Sequence, residues 1–368
     1  MCNYLNIIDK ELCTGCGTCA IVCPFNAINM VEDEYGFIYP ELDKKLCKNC
    51  GLCKKKCHIL NAKFNKKQKK CYAVMANDDI RMESSSGGIF TVVANYILDN
   101  NGYVCGAAFD ENWNVIHKIV NNKEELKSLQ KSKYVQSDLK NTFPEIEKLL
   151  KDNKQVLFVG TPCQVASLNT YLDKKIYKNL ITMDLVCHGT PNNKTWHKFL
   201  RDNIDEEIIN IKFRDKQENG WDPYLGTINT SVYTKNDLKV FKTYMQAYCS
   251  SMSTRDACPN CKYTKVERVS DITVCDFWYI SKYYEGLDDK KGTSFLMMNT
   301  TKGKEVLKNL RKRFKLFKRT KIDIYDYSYY NNHHMARNAI AHKHKPFFLN
   351  DLKNGRIGRI TIEKWEDK

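Results

Sequence analysis

The chain is 368 residues long, more than one domain of ordinary size, and we expect roughly two or three domains. Hydrophobic residues make up 42% of it and aromatic residues 11%, so a buried core can form and a disordered chain is excluded. The formal net charge is +16, but the lysines are scattered and no nucleic-acid-binding motif accompanies them, so we predict no nucleic-acid partner.

The seventeen cysteines do not predict a disulfide framework. The N-terminal sequence MCNYLNIIDKELC has neither the basic region nor the apolar stretch of a secretory signal, so we expect reduced thiols and a cytoplasmic location. The longest mostly apolar run, residues 88–98, is 11 residues long. A transmembrane helix needs roughly 20 residues, so we predict no membrane span.

Near the N-terminus, CTGCGTCAIVCP (13–24) has four cysteines with two, two and three residues between them, followed by proline. The spacing recurs 34 residues later, with His58 in place of Pro24. Bacterial ferredoxins use this spacing for two [4Fe-4S] clusters, and the fourth cysteine of each run binds the other cluster. We therefore predict two ligand sets: Cys13, Cys16, Cys19 and Cys57, and Cys47, Cys50, Cys53 and Cys23.

A zinc ribbon is the alternative for this region, because paired C-x2-C units also bind zinc. Zinc would not account for the C-x3-C-P ending or for its duplication. Residues 59–70 are polar and lysine-rich, which is typical of a linker. We place a two-cluster ferredoxin domain at residues 1–62 and a linker at 63–70.

From Cys71 onward, short β-rich runs alternate with amphipathic segments. Strands are predicted at 71–76, 103–109, 115–120, 155–160 and 180–186, and helices at 88–99, 124–131, 142–152, 163–172 and 194–203. Later runs are typical of meander strands: 208–213, 226–234, 239–244 and 271–280. The fold class is therefore α+β, with a mixed rather than a doubly wound sheet in the larger domain.

Three serines and two glycines, residues 84–88, stand just before the helix predicted at 88–99. Free amides at a helix N-terminus, with glycines that let the backbone approach closely, favour a phosphate or pyrophosphate. A serine-rich helix cap without a ligand is the alternative.

Two predicted strands lead directly into cysteines: VLFVGTPCQ into Cys163, and MDLVCHGTP into Cys187 and His188. In open α/β sheets, ligands bind beyond the carboxyl ends of the strands. Cys258 and Cys261 add a C-x2-C pair on a loop. These four thiols are candidates for a third cluster; a zinc half-site, or core cysteines without any site, are the alternatives.

Apolar residues recur at helical spacing within residues 301–321: Val306, Leu310, Phe314 and Phe317. We predict a solvated surface helix with a basic face, on which an acidic ferredoxin could dock at Arg311 and Arg313. The tail carries four histidines at HH and HxH spacing: His333, His334, His342 and His344. No cysteine or carboxylate arrangement supports them, so we expect no metal site there.

Residues 71 to about 300 resemble the beta subunit of coenzyme F420-reducing hydrogenase and dehydrogenase. The matching blocks are SSSGGIFT (84–91), YVCGAAFD (103–110), KSKYVQSD (131–138), LFVGTPCQ (157–164), DLVCHGTP (184–191), FRDK (213–216), CPNCKY (258–263) and SDITVCDFW (270–278). The resemblance divides the larger domain into an N-terminal segment at 71–152 and a C-terminal segment, with the third cluster, at 153–320. A tail follows at 321–368.

The resemblance implies a flavoprotein with FAD in the central domain, beside a [4Fe-4S] cluster. The implied cluster ligands are Cys163, Cys187, Cys258 and Cys261. The implied flavin-binding residues are Ser86, Gly87, Gly88, Thr91, Lys133, Tyr134, Gln136, Ser137 and Thr161. His188 is the catalytic candidate, although a histidine beside a cluster ligand more often has a structural role. Cys275 and Tyr279 stand where the family commonly has glycine, so larger side chains would narrow the cofactor surface on which F420 could bind.

We therefore expect an iron–sulfur flavoprotein oxidoreductase. It would exchange electrons between a ferredoxin or another redox protein and an organic hydride carrier such as coenzyme F420. Thiolate-ligated clusters and a flavin dinucleotide are anionic, so they would offset part of the positive charge. The rival hypotheses are an electron-transfer subunit without a substrate of its own, and a zinc-ribbon nucleic-acid binder.

Overall fold

The structure is a computed structural model that describes residues 8–65, 70–173, 177–216, 220–221, 226–232, 234–235, 238–282, 284–286, 288–313, 317–322 and 340–355. The cysteines within these ranges form no disulfide. None of the helices in the same ranges is long and apolar enough to cross a bilayer.

The strands, numbered in chain order, are β1 (Ile28–Glu32), β2 (Ile38–Leu42), β3 (Lys70–Ala76), β4 (Tyr103–Phe109), β5 (Val115–Val120), β6 (Val156–Gly160), β7 (Leu180–Leu185), β8 (Ile208–Lys212), β9 (Thr227–Thr230), β10 (Thr234–Lys235), β11 (Ile272–Asp276), β12 (Ser294–Met298) and β13 (Phe317–Ile322). The helices are α1 (Thr18–Ile21), α2 (Leu52–Lys55), α3 (His58–Asn61), α4 (Asp78–Met82), α5 (Ile89–Leu98), α6 (Lys123–Leu129), α7 (Thr142–Lys151), α8 (Pro162–Tyr171), α9 (Asn193–Asn203), α10 (Leu238–Cys249), α11 (Thr301–Arg313) and α12 (Lys345–Lys353).

The largest sheet in the described part of the chain has the strand order β13-β3-β12-β11-β7-β6-β4-β5. Its central strands β11, β7, β6 and β4 run parallel to one another. The outer strands pair antiparallel on both sides. A separate antiparallel sheet joins β8, β9 and β10, and β1 pairs with β2 in a hairpin. The predicted mixed sheet is therefore confirmed.

Strand β6 shows how the layers form. Leu157 and Val159 belong to the apolar core shared with α5, α6 and α11, whereas Val156 and Phe158 belong to the core shared with α7 and α8. Successive side chains of a strand point to opposite faces, so a strand covered on both faces must be apolar throughout. The continuous run VLFVG reflects this position between two helical layers.

The strands and helices predicted between residues 71 and 203 are present within two residues of their expected bounds. The strand predicted at 239–244 is wrong, because these residues belong to helix α10. Phe241, Tyr244 and Met245 are buried at helical spacing, and the ring of Tyr244 lies 5.2 Å from that of Trp196. Packing against a residue distant in sequence therefore determines the secondary structure of this segment. The short apolar alternation of its sequence does not.

The helix predicted at 301–321 is wrong beyond Arg313, where α11 ends, because strand β13 begins at Phe317. Val306 and Leu310 are buried against the large sheet, so the helix is not merely a solvated surface element. Phe314 and the side chains of Arg311 and Arg313 lie outside the described residues.

Part of the predicted tail is built into the core. Helix α12 packs Phe348, Leu349 and Leu352 against Phe37 and Tyr39 of the β1–β2 hairpin. The C-terminal region thus covers one side of the ferredoxin module. Of the tail histidines, His342 and His344 have ring centroids 5.4 Å apart, and His333 and His334 lie outside the described residues.

Candidate functional site

The N-terminal cysteines gather in two sets that cross between the two runs. Burial and then repulsion from three thiols, Cys16, Cys13 and Cys57, raise the pKa of Cys19. Burial also raises the pKa of Cys53, and repulsion from Cys50 and Cys23 adds to the increase. We call Cys13, Cys16, Cys19 and Cys57 the first-run set. We call Cys50, Cys53 and Cys23, with Cys47 assigned to them by its sequence spacing, the second-run set. In each set, the fourth cysteine of one run lies with the other run.

A third set forms at the edge of the large sheet. Cys163 lies in the first turn of α8, directly after β6, and Cys187 follows β7 by two residues. Because β6 and β7 are parallel, both cysteines lie beyond the same edge of the sheet. Burial and then repulsion from Cys261 raise the pKa of Cys163 to about 12, with Cys258 also contributing. The four thiols from three parts of the chain therefore lie close together.

Glycine is needed where the chain leaves Cys187. Gly189 has a φ of +154°, and a Cβ there would lie 2.8 Å from Thr254 Cγ2 and 3.3 Å from the Cβ of Cys258. Only glycine adopts this conformation without strain and leaves room for the neighbouring loop. The position brings the backbone after Cys187 against the loop that carries Cys258.

The chemistry of the three sets fits iron–sulfur clusters. Burial raises the pKa of Cys187, and repulsion from Cys258 adds to it, so thiolates need a cationic partner there. No three His, Cys, Asp or Glu side chains in the described ranges converge on one metal ion. A [4Fe-4S] core takes one thiolate on each of its four irons, so four thiols in each set match its ligand number.

Tyr263 and His58 join the first-run set to the third set. The His58 ring nitrogens lie 2.5 Å from the Tyr263 hydroxyl and 2.9 Å from Thr14 Oγ1. Burial raises the pKa of Tyr263, and so do thiols of both sets: Cys163, Cys261, Cys16 and Cys57. This phenol therefore lies beside both sets. His58 occupies the place of Pro24 in the first run and ties the module to the larger domain.

A cavity of about 350 Å³ opens at the same edge of the sheet, a size typical of small-molecule and cofactor sites. Seven of the predicted flavin residues line it: Ser86, Gly88, Thr91, Lys133, Tyr134, Ser137 and Thr161. Cys187 and His188 line it as well. They also line an adjoining space of about 60 Å³ bounded by the other third-set cysteines, Cys163, Cys258 and Cys261. The cavity thus meets the third set.

Two cations in the cavity wall have unused hydrogen-bond donors. Arg214 is buried and its Nη1 donates to Asp276 at 2.7 Å, whereas its Nε and Nη2 make no hydrogen bond of normal geometry in the described residues; the Tyr134 side chain lies near the guanidinium. Within the same residues, Lys131 Nζ makes no hydrogen bond, although it lies 3.5 Å from the Glu83 carboxylate. A buried guanidinium with unused donors, beside a partly buried lysine that pairs only with Glu83, favours an anionic or acceptor-rich ligand.

Other polar groups of the wall are already hydrogen-bonded. Lys133 Nζ donates to the backbone oxygens of Ser128 and Gln130 at 2.8 and 2.7 Å, and burial, with repulsion from Lys131, lowers its pKa to about 7. The Ser137 hydroxyl lies 2.8 Å from His117 Nδ1 and also accepts from the Gln164 side chain. These groups shape the wall and have little capacity left for a ligand.

Two predicted flavin residues lie away from the cavity wall. The N–H of Gly87 donates to Ser294 Oγ at 2.9 Å, which holds the serine-glycine loop against β12. Gln136 is bound to the ferredoxin module: its Nε2 donates to the Thr14 oxygen and its Oε1 accepts from Arg255 Nε, both at 2.9 Å. The structure therefore assigns both residues structural contacts.

His188, the catalytic candidate, lines the cavity with its ring 3.1 Å from Ser251 Oγ. Burial lowers its pKa. Of the two departures from the family's glycines, Cys275 lines the cavity, where the expected narrowing of the cofactor surface stays a prediction. Tyr279 lies on the outside, 62% exposed, and keeps the left-handed φ of +57° that a glycine would favour.

Three further residues of the site are not singled out by the sequence analysis: Arg214, Arg255 and Tyr263. Arg255 is buried and donates to the backbone oxygens of Ile38 and Cys13 at 3.1 and 3.4 Å. Each stands in a short polar block of the sequence, FRDK or RDACPNCKY. For Arg255 and Tyr263, proximity to Cys258 and Cys261 in the sequence is the one signal available, and Arg214 has none, since a buried arginine has no spacing rule.

The crossed thiol sets, the third set and the adjoining cavity define an iron–sulfur protein of the oxidoreductase type. Two family models match the larger domain, and both represent the beta subunit of coenzyme F420 hydrogenase/dehydrogenase. The N-terminal one covers residues 71–143 and the C-terminal one residues 153–321. Residues 6–29 match a 4Fe-4S binding domain. The chain belongs to the coenzyme F420 hydrogenase/dehydrogenase beta subunit family, as the sequence blocks predict.

Among curated proteins, the chain is similar to a coenzyme F420-dependent sulfite reductase of Methanocaldococcus jannaschii, with 32% identity over 165 residues. The match covers 44% of this chain and 25% of the relative, so the chain spans about a quarter of that protein. Among solved structures, it is similar to a chain of the F420-reducing [NiFe] hydrogenase complex from Methanosarcina barkeri. The TM-score is 0.43 and the identity 15%, with 80% of this chain and 89% of the other covered.

Proposed function

We propose that this protein is a cytoplasmic iron–sulfur flavoprotein oxidoreductase. It exchanges electrons between a ferredoxin-like partner and an organic hydride carrier such as coenzyme F420. The observation that carries the proposal is the shared wall of the cavity and the third set: Cys187 and His188 border both spaces. FAD bound in the cavity would convert single electrons into hydride equivalents, because a cluster carries one electron at a time and a flavin carries one or two.

The three cysteine sets would hold the clusters and the cavity would hold FAD. Arg214 and Lys131 are the cations whose unused donors an anionic, acceptor-rich ligand such as FAD would satisfy. The loop at residues 84–88 is fixed from behind, since Lys216 Nζ donates to the Ser86 oxygen at 2.7 Å and to the Lys291 oxygen at 2.8 Å. This bracing holds Gly88, the cap of α5, at the cavity.

His188 is the proposed catalytic residue because it lies where the cavity and the third set meet. A pKa lowered by burial favours a neutral ring near neutral pH, which can accept the proton that accompanies oxidation of a hydride carrier. The hydrogen bond with Ser251 fixes the ring.

Coenzyme F420 is the first hydride carrier to test, because the family and the sulfite reductase relative carry it in their descriptions. Anaerobically purified protein is mixed in turn with reduced F420, NADH, NADPH and reduced ferredoxin, and flavin absorbance is followed. The proposal predicts bleaching by reduced F420 and by reduced ferredoxin. Bleaching by ferredoxin alone would favour the rival, an electron-transfer subunit with no substrate of its own.

An Arg214→Gln variant separates flavin binding from cluster assembly. It removes the charge that faces the cavity, so we expect flavin occupancy to fall while iron content stays unchanged. A Lys118→Gln variant is the matched control, because it removes one exposed charge from β5. Equal flavin content in all three proteins would contradict the placement of FAD.

A further inference from the structure

We propose that the exposed side of the second cysteine run is the docking surface for an acidic one-electron carrier protein. The proposal rests on the proposed function, in which this chain exchanges electrons with a ferredoxin-like partner. Five lysines around Cys47 and Cys50 define the surface, which we call the lysine face: Lys44, Lys45, Lys48, Lys54 and Lys55.

The two cysteine runs have the same spacing but different surroundings. In the first run, Cys16 and Ile21 pack against the core beneath α8, and the buried Thr18 hydroxyl lies 2.5 Å from Ser167 Oγ. In the second run, Cys50 occupies the position equivalent to Cys16. Of the twelve cysteines in the three sets, Cys50 alone is exposed. The second-run set is therefore the one that a partner can approach most closely.

The charges differ between the runs in the same way. Thr14, Ala20 and Ile21 of the first run correspond, 34 residues later, to three lysines of the second run, Lys48, Lys54 and Lys55. All five members of the lysine face are exposed. None of them forms an ion pair with a residue that the structure describes.

A lysine that is paired with the larger domain serves as a contrast. Lys56, next to the lysine face, is half-buried, donates to the Tyr171 oxygen at 2.9 Å and lies 3.6 Å from Asp173. Lys56 thus helps to attach the module, whereas the five lysines of the face are left to solvent. Leu46 stands among them in the sequence, 46% exposed, and offers an apolar contact within a charged rim.

The charge of the lysine face is explained better by an acidic partner protein than by a need for solubility alone. Asp43 accepts from the amides of Lys45 and Leu46, but no acidic residue follows it up to residue 58, so the lysines prevail. Surfaces that only need to be soluble usually mix both signs of charge, whereas an excess of one sign around a single site steers a partner of opposite charge to it. Charge complementarity of this kind raises the association rate and weakens with salt. The position over the exposed second-run set makes an electron carrier the fitting partner.

The test measures binding, so it has a readout besides turnover. Holoprotein is titrated anaerobically with an acidic ferredoxin that carries two [4Fe-4S] clusters, and the dissociation constant is obtained by calorimetry at low and high salt. A triple variant carries Lys48→Glu, Lys54→Glu and Lys55→Glu. The control triple carries Lys118→Glu, Lys140→Glu and Lys154→Glu, an equal charge change at exposed lysines outside the module.

The proposal predicts that the first triple weakens binding at low salt about tenfold or more, and the control less than about threefold. High salt should weaken the wild-type complex and narrow the difference. Equal loss in both triples would mean a global charge effect and would overturn the proposal. Absence of wild-type binding would overturn it too, as would duplex DNA that binds more tightly than the ferredoxin through the same lysines.

Iron and flavin contents, measured on the same samples, separate this proposal from the proposed function. Wild-type protein that lacks both would defeat the function, and the docking proposal with it. Wild-type protein that contains both, but binds ferredoxin as tightly in the first triple as in the control, would defeat the docking proposal alone.

Discussion

The first cysteine run, residues 13–24, is enclosed by the larger domain, whereas the second, residues 47–58, has its side toward solvent. At the first run, Arg255 binds the backbone oxygens of Cys13 and Ile38 and lies 4.7 Å from the Tyr39 ring centroid. At the second run, Cys50 and the lysine face are exposed. The ligand spacing is common to both, so the residues between the ligands set the surroundings of each cysteine set.

Under the proposed function, this difference would give the two runs different tasks. The first-run set shares Tyr263 and His58 with the third set and so belongs to the interior of the protein. Burial alone would raise the pKa of Cys16, but His58, with Ser167 and Thr18, offsets this and lowers it to about 6. The second-run set lies outward, where a partner protein can reach it.

The largest expected effect comes from the third set, to which the first run is joined. A Cys163→Ser variant should lose about four of about twelve irons per chain and leave the ferredoxin module loaded. Cys249→Ser is the control, because Cys249 is an exposed cysteine outside the three sets. Iron analysis checks the prediction; full iron content in Cys163→Ser would contradict the ligand assignment.

The enclosure of the first run can be broken at Arg255. An Arg255→Met variant leaves the oxygens of Ile38 and Cys13 and the Gln136 side chain without their donor, so we expect a loss of about 3 kcal/mol in the free energy of unfolding. Lys54→Met removes the same charge from the second run and should cost less than about 0.5 kcal/mol. Thermal unfolding compares them, and equal midpoints would refute the contrast between the runs.

Glycine substitutions probe the same enclosure more finely. A Cβ at Gly15 would lie 2.5 Å from the Ile38 oxygen and 2.7 Å from Arg255 Nη2, whereas one at Gly17 or Gly51 meets nothing within 4 Å. All three have positive φ, so each alanine costs roughly 1 kcal/mol of backbone strain. Gly15→Ala should cost about 2 kcal/mol more than the other two. Similar urea midpoints for the three variants would count against close packing at Gly15.

The smallest effect is a pH dependence in the domain that encloses the first run. Burial lowers the pKa of His117 from 6.5 to about 4, so the unfolded chain binds a proton that the folded chain does not between these values. Stability is therefore full above pH 6.5 and falls as the pH drops toward 4, by about 1 to 2 kcal/mol at about pH 5.

A His117→Gln variant tests this pH dependence. It should lose stability at neutral pH but show a smaller further loss on acidification, measured as the shift of the thermal midpoint. The same acid sensitivity in wild type and variant would show that His117 is not the responsible group.

Much of the site could be predicted because its chemistry imposes spacing. Cys13 to Cys57 follow a fixed ligand pattern, and Cys163 and Cys187 follow buried strands whose carboxyl ends share one edge of the sheet. Helix α10 could not be predicted, because residues 239–244 fold on Trp196 through long-range packing. Strand β12 could not be predicted, because its short apolar run SFLMM has no β-branched residue and fits a buried helix equally well.

The contacts between domains were also beyond reach of sequence patterns. Gln136 resembles a flavin residue within its block but binds Thr14 and Arg255 instead. Its role depends on where the ferredoxin module docks, and no local pattern encodes that. The unused donors of Arg214 likewise become visible only when the cavity is formed.

The most direct test of the account is the metal and flavin content of anaerobically purified protein. Three thiol sets and one cavity predict about twelve irons and one flavin per chain, with the absorbance of both cofactors. Protein that contains zinc in place of iron and no flavin would contradict the account.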